Sequence, residues 1–348
     1  MLMRALVKLE KGPGHVELKS DWPKPQVKPG WVLVEVAACG ICGTDIHIEE
    51  DTHKNWPPVV LGHEYTGRIV EIGADVEGWH VGDRVVCEQY HGACMKCDAC
   101  RRGAIHLCPS KRSPGWGIDG AFADFVLLPA WLLHRVPDGV SFQAAAVTEP
   151  TAICITGLDR VNLQSGERVL VIGPGPIGLI SALLAQASGA SEVVVVGRAS
   201  SRKRLELAAS MGLSIYELDD SDPLSVIGDT FDISIDSTGA GESFSLACSA
   251  TRRQGRVLQL GIASTPTVPF TLNIAIYRAL TISMSMSSEY SSWDRALALM
   301  ASGKYDPTPL TSIYSLDDWK QAFEDVHNRL AVKALITPKD IAYLDQIR

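Results

Sequence analysis

Residues 169–178, VLVIGPGPIG, constrain this chain more than any other segment: an apolar strand pattern runs into G-x-G-x-x-G, and an apolar helix pattern follows. Gly173 permits a tight turn, Gly175 lets a pyrophosphate approach the backbone, and Gly178 allows close helix-to-strand packing, with Pro176 and Ile177 between them. A helix starting there offers free amides and its positive dipole end to an anion. Further apolar strands are expected at 193–196, 233–236 and 257–260, with helical stretches between them. That alternation predicts a parallel, doubly wound Rossmann sheet that binds a dinucleotide.

In such a sheet the second strand normally ends in Asp or Glu, which accepts hydrogen bonds from the adenosine ribose. Here the strand is followed by GRASSRK at 197–203, with three cations, two hydroxyls and no carboxylate. Arg198, and after it Arg202, offers charge-assisted donors suited to a 2′-phosphate. The expected cofactor is therefore NADP in preference to NAD.

The segment before this unit has a different texture. Residues 1–140 are rich in Val, Gly and Pro, with short alternating runs and turn signals such as 28–30 and 81–83. This predicts an all-β unit. A helical stretch at 141–161 reads as the connection, and further helices are expected at 293–302 and 316–326. At 348 residues the chain is long enough for about two domains.

Within the β-rich part, Cys94, Cys97, Cys100 and Cys108 follow C-x2-C-x2-C-x7-C. Four thiolates suit a closed tetrahedral zinc, which points to a structural metal. Cys42, His63, Glu64 and Glu149 form a second, more dispersed ligand-type set, of the mixed kind that leaves a position open. An odd total of nine cysteines, no signal-peptide pattern and metal-like spacing argue for a reducing cytosol, with Cys39, Cys87, Cys154 and Cys248 as buried thiols. A net charge of -8 argues against a nucleic-acid partner, and no apolar run is long enough to span a bilayer.

CGICGTDIH at 39–47, GHEYTG at 62–67, the four-cysteine lobe and the Gly-rich turn occur in one order. Together they resemble the zinc-dependent medium-chain dehydrogenases, and within them most the polyol, sorbitol-type and threonine enzymes. The resemblance implies a GroES-like β-rich catalytic domain, residues 1–145 and 288–348, around a Rossmann domain, residues 146–287. It implies two zinc ions per chain, with Cys42, His63 and Glu64 on the catalytic one and Glu149 near its fourth position. By the same resemblance Thr44 meets the substrate hydroxyl, His47 ends a proton relay and Asp45 supports His63. A homodimer or homotetramer is implied as well.

The chemistry implied is hydride transfer between an alcohol and a nicotinamide, with zinc as Lewis acid and Thr44 and His47 moving the proton. A secondary alcohol with vicinal hydroxyls is the expected substrate, because Glu64 and Glu149 make the site rich in acceptors. A simple or amino-acid alcohol is the nearest alternative. Rival classes are a non-catalytic redox sensor, a zinc-free quinone or enoyl reductase and a zinc-ribbon interaction module. None of these has a use for both ligand sets.

Overall fold

The computed structural model describes residues 1–340. It divides into two compact units, one formed by Met1–Glu149 with Ala296–Arg348 and the other by Pro150–Arg295.

The first unit opens with β1 (Leu2–Lys8), β2 (Val16–Pro23) and β3 (Trp31–Gly40), followed by the short helix α1 (Gly43–Glu49). Strands β4 (Val59–Val60), β5 (Glu64–Ile72) and β6 (Arg84–Cys87) come next. Helix α2 (Asp98–Arg101) lies in the cysteine-rich loop, before β7 (Phe125–Pro129), β8 (Leu133–Arg135) and α3 (Phe142–Ala145). Strand β3 is buried along most of both faces, as its run of Val and Ala requires of a central strand. It pairs antiparallel with β5, and their register sets Gly40 opposite Glu64 and Cys39 opposite Tyr65. A Cβ at Gly40 would fall 2.4 Å from Glu64 Oε2, so any side chain there would displace the Glu64 carboxylate.

The second unit holds α4 from Pro150 onward (Thr148–Val161), β9 (Arg168–Ile172), α5 (Pro176–Ala187), β10 (Glu192–Arg198) and α6 (Arg202–Ser210). There follow β11 (Ser214–Leu218), α7 (Pro223–Ile227), β12 (Phe231–Asp236), α8 (Gly241–Ala250), β13 (Thr251–Gln259), α9 (Leu272–Tyr277), β14 (Thr281–Met284) and, as far as Arg295, α10 (Tyr290–Ala301). Its six strands are all parallel, in the order β11-β10-β9-β12-β13-β14. This is the expected doubly wound sheet, and its order reverses between β9 and β12, where ligands bind such sheets. The core is built from Leu170, Ile172, Val194, Val196 and Val257 with Phe231 and Phe244.

The chain then returns to the first unit through β15 (Thr311–Ser315), α11 (Trp319–His327) and β16 (Lys333–Thr337). They complete a sheet ordered β15-β16-β3-β5-β6-β8, with β7 also on β3. Strand β16 pairs with the end of β3, Leu335 against Gly40, so the ends of β16 and β5 flank the same turn. Helix α11 buries Trp319 and Phe323, and Phe323 meets Phe122 edge-on at 6.2 Å. Phe122 is fully buried in the same core.

Two expectations need correction. The stretch expected as one helix at 141–161 is two, because the first turn, capped by Ser141 Oγ on the Ala144 amide, ends at Ala145 before α4 begins. The helix expected from Leu316 starts at Trp319, and Leu316 packs into the core ahead of it. Among the described residues no helix is long and apolar enough to cross a membrane.

Candidate functional site

Cys42, His63 and Glu64 each present a ligand atom, and these lie within 4.8 Å of one another. Local structure explains how residues from separate segments meet. Cys42 is the N-cap of α1, and its amide donates to Asp45 Oδ2 at 2.9 Å, while the amide of Gly62 donates to Asp45 Oδ1 at 3.2 Å. One fully buried carboxylate thus ties the cap of α1 to the segment that carries His63. Asp45 Oδ1 also faces His63 Nδ1 at 3.7 Å, and that nitrogen is buried without a hydrogen-bond partner.

Glu64 begins β5 and is held by Lys333, whose Nζ donates to Oε2 at 2.6 Å and to Oε1 at 2.9 Å. Lys333 also donates to the Ile41 carbonyl at 3.1 Å. It is the site residue that sequence reasoning missed, although a lone lysine in VKALI, an otherwise apolar strand, was the available signal. Glu149 lies in the first turn of α4 and is 6% exposed. Burial and the neighbouring Glu64 raise its carboxyl to about 8.

The electrostatics fit a cation. Burial works against a charged imidazole at His63, yet the carboxylate of Asp45 and the thiol of Cys42 outweigh it and hold its basicity well above the ordinary value. A sulfur, a ring nitrogen and a carboxylate oxygen are the donor types of an open zinc site. Thr44 Oγ1 lies 3.7 Å from Cys42 Sγ. His47, one helical turn further on, is more than half exposed, with Glu50 Oε2 at 3.4 Å and Thr52 Oγ1 at 3.3 Å from its Nδ1.

Around His63 the wall is aromatic. Trp116 stands edge-on to its ring at 5.1 Å and to the ring of His53 at 5.6 Å. His53 Nδ1 pairs with the Lys54 carbonyl at 3.0 Å, and burial lowers its basicity.

Cys94, Cys97, Cys100 and Cys108 converge with ligand atoms within 4.8 Å of one another. Amides of Cys94, Cys97 and Cys100 point at sulfurs of Cys108, Cys94 and Cys97 at 3.3, 3.4 and 3.5 Å. The amides of Lys96 and Cys97 bring the Cys94 thiol down to about 6, whereas burial and the adjoining thiols push Cys100 up to about 12. Four crowded thiols cannot all ionise without a cation, and a zinc would supply it. Cys39, Cys87, Cys154 and Cys248 are buried and unbridged.

In the second unit Gly173 adopts φ 102°, and a Cβ at Gly178 would fall 1.9 Å from the Gly173 carbonyl oxygen. A Cβ at Gly175, by contrast, would meet nothing within 4 Å, which leaves room beside the start of α5 for a phosphate. Pro176 and Ile177 are the first residues of that helix, and Ser237 Oγ braces the turn by donating to the carbonyls of Ile172 and Gly173 at 2.9 Å. Arg198 ends β10 and pairs with Glu242 at 3.0 Å, both side chains being largely exposed. Arg202 is held more firmly, by two bonds of 2.8 and 2.6 Å to Glu217.

Comparison with known proteins agrees with this geometry. Residues 28–138 match the family described as alcohol dehydrogenase GroES-like domain, and residues 176–302 match zinc-binding dehydrogenase. A sorbitol dehydrogenase of Halalkalibacterium halodurans is 33% identical over 97% of this chain and 100% of its own length. An L-threonine 3-dehydrogenase of Pseudoalteromonas translucida is 34% identical over 92% of this chain and 96% of its own. A zinc-binding dehydrogenase structure from Sinorhizobium meliloti 1021, bound to NADP, superposes with a TM-score of 0.88 at 28% identity, covering 97% of this chain and all of that one.

Proposed function

The chain belongs to the zinc-binding alcohol dehydrogenase family, and we propose that it oxidises a secondary alcohol of the polyol or sugar-like class with NADP as the preferred hydride acceptor. The observation that carries this reading is the convergence of Cys42, His63 and Glu64 at the cap of the helix that bears Thr44 and His47. Zinc held by those three residues supplies Lewis acidity at the substrate oxygen, and the dinucleotide supplies the hydride acceptor.

The chain's own residues do the rest. Thr44 Oγ1, beside Cys42, accepts the proton of the substrate hydroxyl as it gives up its own toward His47. His47, three residues on and exposed, releases it to solvent. Asp45 orients His63, and Lys333 fixes the Glu64 carboxylate in place. Both Glu64 oxygens accept from Lys333, so recognition of further substrate hydroxyls rests chiefly on Glu149. The sorbitol relative favours a polyol over a simple alcohol.

The absence of an acid at the end of β10, the position of Arg198 there in a pair with Glu242 that is largely exposed, and the NADP-bound relative support NADP. Arg202 would have to leave Glu217 to take part, so the discrimination is assigned first to Arg198. Edge strand β14 carries exposed Met284, with exposed Met286 and Tyr277 nearby, which supports a homodimer or a homotetramer built from such pairs. Profiling polyols, simple alcohols and amino-acid alcohols with NADP and NAD tests the reading. A preference for a long unsubstituted primary alcohol overturns it.

A further inference from the structure

We infer that the substrate carries an anionic group, a phosphate or a carboxylate, remote from its carbinol carbon, and that Arg112 and Lys54 recognise it. This rests on the dehydrogenase reading above and narrows its substrate class. Trp116, whose ring edge meets His63, accepts the amide of Trp56 on its carbonyl at 2.9 Å. Over the Trp56 ring stand two cations, the Arg112 guanidinium at 4.6 Å from the centroid and the Lys54 ammonium at 4.7 Å. Among the described residues neither makes an ion pair.

Arg102, Arg135, Arg198 and Arg202, likewise exposed, are instead matched to Asp98, Asp83, Glu242 and Glu217. In a chain of net charge -8, two like charges gathered on one indole without a carboxylate repel each other, and a single half-buried ring compensates them only in part. Their placement is also built into the backbone. A Cβ at Gly117 would fall 2.7 Å from Arg112 Cβ, and one at Gly92 would fall 2.8 Å from the Arg112 nitrogen. A two-pronged guanidinium beside a point-charge ammonium is a donor set for phosphate or carboxylate.

The test compares sorbitol, sorbitol 6-phosphate and L-threonine as substrates of the zinc-loaded wild type, Arg112→Met, Arg112→Lys and Lys54→Met, each checked for zinc content and melting temperature. The wild type should use sorbitol 6-phosphate with kcat/KM about 100-fold above sorbitol, and each Met variant should cut that ratio about ten-fold, chiefly through KM. If Arg112→Met does not fold, Arg112→Lys, which keeps charge but loses the fork, and Lys54→Met carry the comparison. A ratio near one, or a ratio unchanged in the variants, overturns the inference while leaving the polyol reading in place. If L-threonine alone is oxidised, the polyol reading falls, and the inference stands only if the variants raise KM for threonine. Turnover of none of the three overturns both.

Discussion

Lys333 Nζ stands 2.6 Å from Glu64 Oε2 and joins residues 269 positions apart in a pair whose side chains are each 2% exposed. Removing one partner of a buried pair strands the other, at a cost of about 3–5 kcal/mol. Lys333→Met should therefore lower stability by that order in urea unfolding. Adding Glu64→Gln should recover part of the loss in stability while abolishing turnover. Equal stability of Lys333→Met and wild type would show that the pair is not formed in solution.

The two ligand sets should separate by assay. Cys42→Ala is expected to leave one zinc per chain, an intact fold and no turnover. Cys97→Ser should also drop zinc from two to one per chain but should first lower the melting temperature or the yield of assembled protein. Metal analysis beside circular dichroism checks both, and retained turnover in metal-verified Cys42→Ala would remove that cysteine from the chemistry.

Selection of the dinucleotide is expected to rest on Arg198. Arg198→Ala should reduce kcat/KM for NADP about ten-fold or more and change that for NAD little, because only NADP presents a 2′-phosphate. Steady-state kinetics with both cofactors decides it. An equal loss with both would assign Arg198 a structural part instead.

Acid should destabilise the first unit through His91. Burial lowers its basicity from 6.5 to about 3; its Nδ1 is buried without a partner, and its Nε2 lies 3.4 Å from both Cys87 Sγ and Tyr65 Oη. Above the unfolded-state value both states are neutral and nothing changes with pH. As pH falls below it, the unfolded chain takes up a proton that the folded chain refuses. Stability then declines by up to about 1.4 kcal/mol per pH unit until the folded value is reached. His91→Gln should flatten this slope between pH 6 and 4 relative to wild type; parallel slopes would contradict the assignment.

Contiguity decided what could be read from the sequence. The turn at 173–178 and the four cysteines at 94–108 carry their geometry in local spacing, so sheet, turn and sulfur cluster were all legible. Cys42, His63 and Glu64 were legible as ligand-type residues, but their assignment to one centre came only through the resemblance, because their meeting depends on the β3–β5 register and on Asp45 bridging two segments. Lys333 was overlooked because a strand from the far end of the chain, paired antiparallel with β3, delivers it. The Arg202–Glu217 pair was invisible for the same reason: β10 and β11 must pair before Glu217 comes beside it. Trp116 at His63, and Arg112 with Lys54 on Trp56, depend on loop packing that no periodicity records.

The central claim is that a zinc held by Cys42, His63 and Glu64 drives oxidation of a secondary alcohol by NADP. Its most direct test follows nicotinamide reduction by protein with its zinc content measured, before and after chelation and zinc restoration, with a panel of polyols and their phosphates. The account predicts turnover with a secondary alcohol and NADP that is lost on chelation, regained with zinc and absent throughout in Cys42→Ala. Undiminished turnover in protein verified to be zinc-free, or in Cys42→Ala, would contradict it.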